Sequence, residues 1–169
     1  SLLLVEENHA VPVVQVLIAL RAGSAEDPAG REGLTHLAAE LARRGGGGRT
    51  REEIDAAFDA LGATLEVDSD FDSVRLAGQV LSTNLEPFLG LVADVLLRPT
   101  FRADELERTR RELVAQLDEL RTDDAALCAR FFARRLYGNH PYGRPPEGTK
   151  ASLEALSLAE AKARWKSLV

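Results

Sequence analysis

Cysteine is nearly absent from this chain. Cys128 stands alone among 169 residues, which excludes a disulfide framework and any zinc cluster built from thiolates. An excess of basic charge is also missing: 21 Lys and Arg face 27 Asp and Glu, a formal net charge of −6. Phosphate-backbone binding draws its affinity from lysine and arginine, so a general nucleic-acid role is disfavoured. No apolar run approaches the ~20 residues that span a bilayer. The opening SLLLVEENHAVP has no basic segment followed by a long apolar stretch, and these residues therefore predict no secretion signal. The compartment stays open between cytoplasm and periplasm for a soluble chain.

What is present fits one domain. Hydrophobic residues make up 45% of the composition, enough to bury a core at this length. Residues 2–5 (LLLV) and 12–20 (PVVQVLIAL) are short β-branched runs separated by the turn-like ENHA, which predicts two strands. GSAEDPAGREG (23–33) reads as a loop, and a helix follows over roughly 31–44, closed flexibly by Gly45–Gly48. Thr50 and Glu53 form a capping box that opens the next helix, with Ile54, Phe58 and Leu61 at helical spacing and Gly62 as its stop. Residues 63–80 alternate apolar and polar side chains, as half-buried strands do, with a turn around Ser69–Asp72. LEPFLGLVADVLL (85–97) predicts an apolar helix, 103–121 and 123–137 two amphipathic ones, and the Ser157–Glu160 box a last helix. Strand pairs alternating with helix pairs imply an α+β fold: a two-layer domain, mainly antiparallel sheet packed against helices.

The helix GLTHLAAELARRG carries the chemistry of most interest. At about 100° per residue, Leu34, Leu37, Ala38 and Leu41 gather on one side and His36, Glu40 and Arg43 on the other. His36 and Glu40, four apart, leave neighbouring points of one surface and could grip one ion. The plain alternative is a solvated face with a weak contact between them. Two ligands are too few for a zinc enzyme, which takes three protein ligands and a water. On the helix at 103–121, Leu106, Leu113, Leu117 and Leu120 define an apolar stripe, with Thr109 and Gln116 at its edge pointing partly inward. Elsewhere, GGGG (45–48) lacks the Lys-Ser/Thr of a phosphate loop, and no G-x-S-x-G elbow occurs. Cys128 has no evident histidine partner. His9 falls in a turn, His140 reads as structural, and Arg43, Arg44, Arg49 and Arg51 read as a solvated basic loop.

Four segments, taken in order, carry a family likeness. EGLTHLAAELARRG, GRTREEIDAAFDALGATLEVDSDFDSVRLAGQVL, LLRPTFRADELERTRRELVAQLDEL and YGNHPYGRPPEGT together resemble the M16 metallopeptidases, the pitrilysin and insulinase family, across essentially the whole chain. The resemblance implies an H-x-x-E-H helix whose histidines bind zinc and whose glutamate is the general base, with a distal glutamate as third ligand. The first histidine then falls on His36, the base on Ala39, the second histidine on Glu40 and the distal glutamate on Gln116, 76 residues beyond Glu40. Sliding Glu40 into the base position would put Leu37 and Leu41 at the histidine sites, so no single slip restores the motif.

An amide is a poor zinc ligand, and an alanine methyl cannot take a proton from water. The resemblance therefore implies a chain that holds no zinc and cuts no peptide alone, where its active relatives use zinc. It would be a structural or substrate-holding partner for a homologous M16 subunit or second half with an intact motif. In the family, substrate adds as a strand to a sheet edge, and the matching edge is Thr64, Leu65, Glu66, Val67, Asp68 and Ser69, with Glu66 in place of the usual asparagine. An ordinary edge strand protected by its acidic residues is the alternative for that segment. The likeness covers most of one family repeat and implies that its last strands lie outside residues 1–169. Two other functions stay open: an altered metallopeptidase using His36 and Glu40, and an assembly subunit like the core proteins of respiratory complexes.

Overall fold

The computed structural model describes residues 2–8 and 10–169. The alternating segments become three strands, β1 (Val13–Leu20), β2 (Thr64–Ser69) and β3 (Val74–Leu81). They form one antiparallel sheet in the order β1-β3-β2, with Val16 opposite Gly78 and Leu65 opposite Gly78 from the other side. This register puts Val74, Leu76 and Val80 of the central strand on one face, where they are fully buried. Glu66, Asp68, Arg75 and Gln79 take the opposite face, where only water meets polar side chains cheaply. At Gly78 an added Cβ would stand 2.5 Å from the Thr64 carbonyl oxygen and 2.8 Å from the Phe88 ring. A side chain there would force helix and sheet apart.

Seven α-helices supply the second layer among the described residues: α1 (Leu34–Arg43), α2 (Arg51–Ala60), α3 (Leu85–Leu97), α4 (Ala103–Glu119), α5 (Asp124–Tyr137), α6 (Lys150–Ala155) and α7 (Leu158–Leu168). The mixed architecture, with helices packed on a small antiparallel sheet, is the α+β arrangement expected. α1 lies at its centre, with Leu37, Ala38, Ala39, Leu41 and Ala42 each at most 1% exposed. It starts at Leu34 rather than near 31 because Gly33 takes a left-handed φ of 86°. The carboxylate that caps it comes from the preceding loop: Asp27 accepts from the Thr35 N–H (3.1 Å) and the Thr35 hydroxyl (2.6 Å). Burial pushes the Asp27 carboxyl above its ordinary value, against the pull of those hydrogen bonds and of Arg164. The capping boxes at Thr50 and Ser157 form as the sequence predicts. Trp165 of α7 closes the layer, its indole N–H donating to the Leu96 carbonyl at 2.9 Å.

Two expectations need correction, and one helix carries no local signal. Residues 2–5 do not form a strand: Leu2, Leu3, Leu4 and Val5 are 76–84% exposed and pair with no ladder. A β-branched run becomes a strand only where a neighbouring backbone accepts its hydrogen bonds, and among the described residues β1 pairs with β3 alone. Gly45–Gly48 is a built turn, not a flexible stop. Gly46 bridges to Pro99, the Gly47 N–H donates to the Arg98 carbonyl at 3.0 Å, and the Thr100 N–H donates to the Gly45 carbonyl at 3.1 Å. Gly47 has φ 61°, and a Cβ there would meet the Asp94 carboxylate at 2.3 Å. Helix α6 was also invisible, because six residues show no period and its cap pairs Thr149 with Ser152 instead of a glutamate. The turn expected of His9 lies outside the described residues.

Phe58 and Phe88 meet edge-on at 6.0 Å between centroids beneath the sheet, both at most 2% exposed. Phe88→Ala removes this aromatic contact and leaves a cavity under Gly78. The expected loss is about 3–5 kcal/mol of unfolding free energy, read from the shift of the urea midpoint at unchanged slope.

Candidate functional site

Helix α1 runs alongside β2. Its polar positions meet that strand's edge: His36 Nδ1 lies 3.1 Å from the Ser69 hydroxyl, and the Arg43 Nε–H donates to the Leu65 carbonyl at 2.8 Å. The expected wet face is thus half-buried, roofed by the sheet edge on one side and bordered by α4 on the other. Ala39 is 1% exposed and packs in the core. The methyl at the base position therefore has no access to a bound water.

Glu40 points elsewhere. Its carboxylate lies 3.7 Å from the Arg44 guanidinium, which is also 2.5 Å from Glu112 and 3.5 Å from Glu105 on α4. Arg51 stands within 3.9 Å of both α4 carboxylates. The expected solvated basic loop is thus an ion-pair network. Arg44 is 9% exposed and Glu105 8%, and burial of such a cation is tolerated only because carboxylates surround it. Arg49 completes the pattern one turn on, paired to the buried Asp94 at 2.7 Å. The hydrogen bond from Arg44 holds the Glu112 carboxyl below its ordinary 4.5, with Arg51 and Arg108 adding to the effect.

Gln116 corrects another expectation. Its side chain is exposed, not turned inward, and borders a shallow depression of about 330 Å³ with Leu113, Leu117, Leu120 and Glu147. Thr109, its supposed companion at the stripe's edge, is fully buried. The helix turns about 100° per residue, so two positions seven apart sit close to one line, and the different fates reflect what packs over each end of α4. Among the described residues, no three His, Cys, Asp or Glu side chains are placed to share one ion. One imidazole, one carboxylate committed to a guanidinium, an alanine methyl and an exposed amide do not fit zinc.

The residues that sequence reading missed are Glu105 and Glu112. Their signal was available: the acids stand seven apart on α4, two turns of one helix face, and meet the arginine cluster 43–51. Cys128 is exposed on α5, and His140 serves as a local cap, its Nδ1 accepting from the Tyr142 N–H at 3.2 Å.

A family model, Insulinase (Peptidase family M16), matches residues 2–150, and this chain belongs to that family. An uncharacterized zinc protease of Mycobacterium leprae is 32% identical over 92% of the chain and 35% of its own length. A Helicobacter pylori protein called non-peptidase homolog YmxG is 24% identical over 95% of the chain and 37% of its own length. Among solved structures, the peptidase M16 inactive domain from Pseudomonas fluorescens superposes with a TM-score of 0.88 at 28% identity, covering 94% of this chain and 39% of that one. The chain spans little more than a third of the length of these relatives. No helix among the described residues is long and apolar enough to cross a membrane.

Two outcomes follow from the network. Arg44→Met leaves Glu105 buried without its nearest cation, and the expected loss is about 3 kcal/mol in a urea titration at pH 7. The Glu112 carboxyl is more acidic folded than unfolded, so its contribution is complete above pH 4.5 and disappears as pH falls through the lower folded value. Because this side chain is 41% exposed, Glu112→Gln should cost under about 1 kcal/mol at pH 7. The urea midpoints of wild type and variant should converge as the pH is taken down below 4.5.

Proposed function

We propose that this chain is a non-catalytic member of the M16 family that acts as a structural and substrate-holding partner of a homologous, zinc-bearing subunit or half. The observation that carries the reading is position 39. Where the resemblance requires a carboxylate to take a proton from water, Ala39 presents a buried methyl, and loss of a positioned base costs roughly 10²–10⁴ in rate. Glu40, in place of the second histidine, is engaged by Arg44, and Gln116, in place of the distal glutamate, faces solvent. The names of two relatives support the same reading: one is described as an inactive domain and another as a non-peptidase homologue.

The part left to such a chain is to hold peptide. The edge of β2, Thr64–Ser69, has strand β3 on one side only and α1 beside it. In this reading an extended substrate pairs its main chain with that edge, while chemistry takes place on the partner's zinc. The arrangement divides labour between two copies of one fold. One keeps the base and the metal; the other supplies a wall and a strand.

Co-expression with a homologue bearing an intact H-x-x-E-H tests this. The chain alone, supplied with zinc, should leave a quenched peptide substrate uncut, and the pair should cut it. His36→Ala in this chain should leave the pair's kcat within about twofold, whereas replacing the partner's base should lower it by roughly 10²–10⁴. Cleavage by the isolated chain that His36→Ala abolishes would overturn the proposal in favour of an altered metallopeptidase. Failure of any active homologue to associate would favour a plain assembly role.

A further inference from the structure

The edge of β2 is not evenly open. The Asp70 N–H donates to the Ser73 carbonyl at 2.9 Å, and the β2–β3 register runs unbroken from there. In an antiparallel pair the bonded positions alternate. The backbone groups of Asp68, Glu66 and Thr64 therefore turn toward β3, and those of Ser69, Val67 and Leu65 turn away from it. Of these three outward-facing residues, Leu65 is already engaged. The Arg43 Nε–H donates to its carbonyl at 2.8 Å.

Arg43 is held from behind as well. One Nη1–H donates to Asp55 of α2 at 2.7 Å, and the guanidinium lies over the Phe58 ring, 5.0 Å from its centroid. A free arginine side chain has many rotamers; here a carboxylate, an aromatic face and a backbone carbonyl select one. The charged fork thus sits where an incoming main-chain N–H would have to sit.

We propose that Arg43 is a latch on the β2 edge: it closes the Leu65 end to strand addition and confines a bound extended peptide to the Val67–Ser69 half. This rests on the reading of β2 as a peptide-holding edge and adds a determinant of length and register to it. Pairing along the whole strand requires Arg43 to leave Leu65. Asp55 does not lose every cation when that happens, because Arg51 lies 3.8 Å from its other oxygen. The latch therefore opens at the cost of the charge-assisted hydrogen bonds to Leu65 and Asp55 and of the aromatic contact. A partner that fills the full edge must supply that free energy through its own contacts; a short peptide cannot.

The test uses a fluorescein-labelled peptide of alternating threonine and valine with a lysine at each end, followed by fluorescence anisotropy and by amide hydrogen exchange. Arg43→Leu should bind it at least about tenfold more tightly than wild type, the value of the Leu65 hydrogen bond alone. In wild type with saturating peptide, the Val67 and Ser69 amides should gain protection and the Leu65 amide should not; in Arg43→Leu all three should. Val67→Pro removes an outward N–H without breaking the β3 ladder, and should abolish binding in both backgrounds. Equal affinity of wild type and a folded Arg43→Leu would overturn the latch and leave the peptide-holding reading intact. Binding by neither protein would overturn both. Protection of the Leu65 amide in wild type would overturn the latch without recourse to any variant.

Discussion

Everything in this domain is arranged around the burial of α1. A helix whose alanines and leucines are all but inaccessible must have its free amides satisfied and its few polar side chains matched, because water cannot do either. Asp27 meets the first need from a loop, and Arg164 of α7 reinforces it, donating to the Thr35 hydroxyl at 2.8 Å and to the Gly23 carbonyl at 3.0 Å. The loop, the first helix and the last helix are thereby tied to one point. The position of α1 against β2 depends on that knot, and so does the geometry of every residue in the candidate site.

The other end of α1 is fixed by charge. Arg43 leaves toward the sheet edge and Arg44 toward α4, each to a partner prepared for it. Where an active relative would gather donors about a metal ion, this chain gathers carboxylates about a guanidinium. The two arrangements serve different ends. A metal site needs open coordination and a water, whereas a buried guanidinium with Glu105 and Glu112 locks two helices together. The result is a packed surface on which guanidinium and carboxylate groups are paired.

The match with M16 relatives extends over nearly the whole chain but over little more than a third of each relative. Among the described residues, two strands of the sheet, β1 and β2, have a neighbour on one side only. On β1 the residues facing the helices, Val14, Val16, Ile18 and Leu20, are only partly covered, while Val74, Leu76 and Val80 on the same face of β3 are fully buried. The edge beside α1 differs, since a side chain of the same molecule already occupies part of it.

The sequence by itself determined the elements with strong local grammar. The capping boxes at Thr50 and Ser157, the alternation of 63–80 and the apolar run 85–97 each specify their structure through bonds and periods only a few residues long. It also determined which chemical groups stand at positions 36, 39, 40 and 116, and hence what those positions lack. Tertiary structure alone decided where the groups point. LLLV found no strand neighbour, the glycine turn became rigid against Asp94, Gln116 faced outward and the arginines found carboxylates sixty residues away. Such outcomes depend on desolvation and on distances between segments remote in the chain, and neither is written in any local pattern.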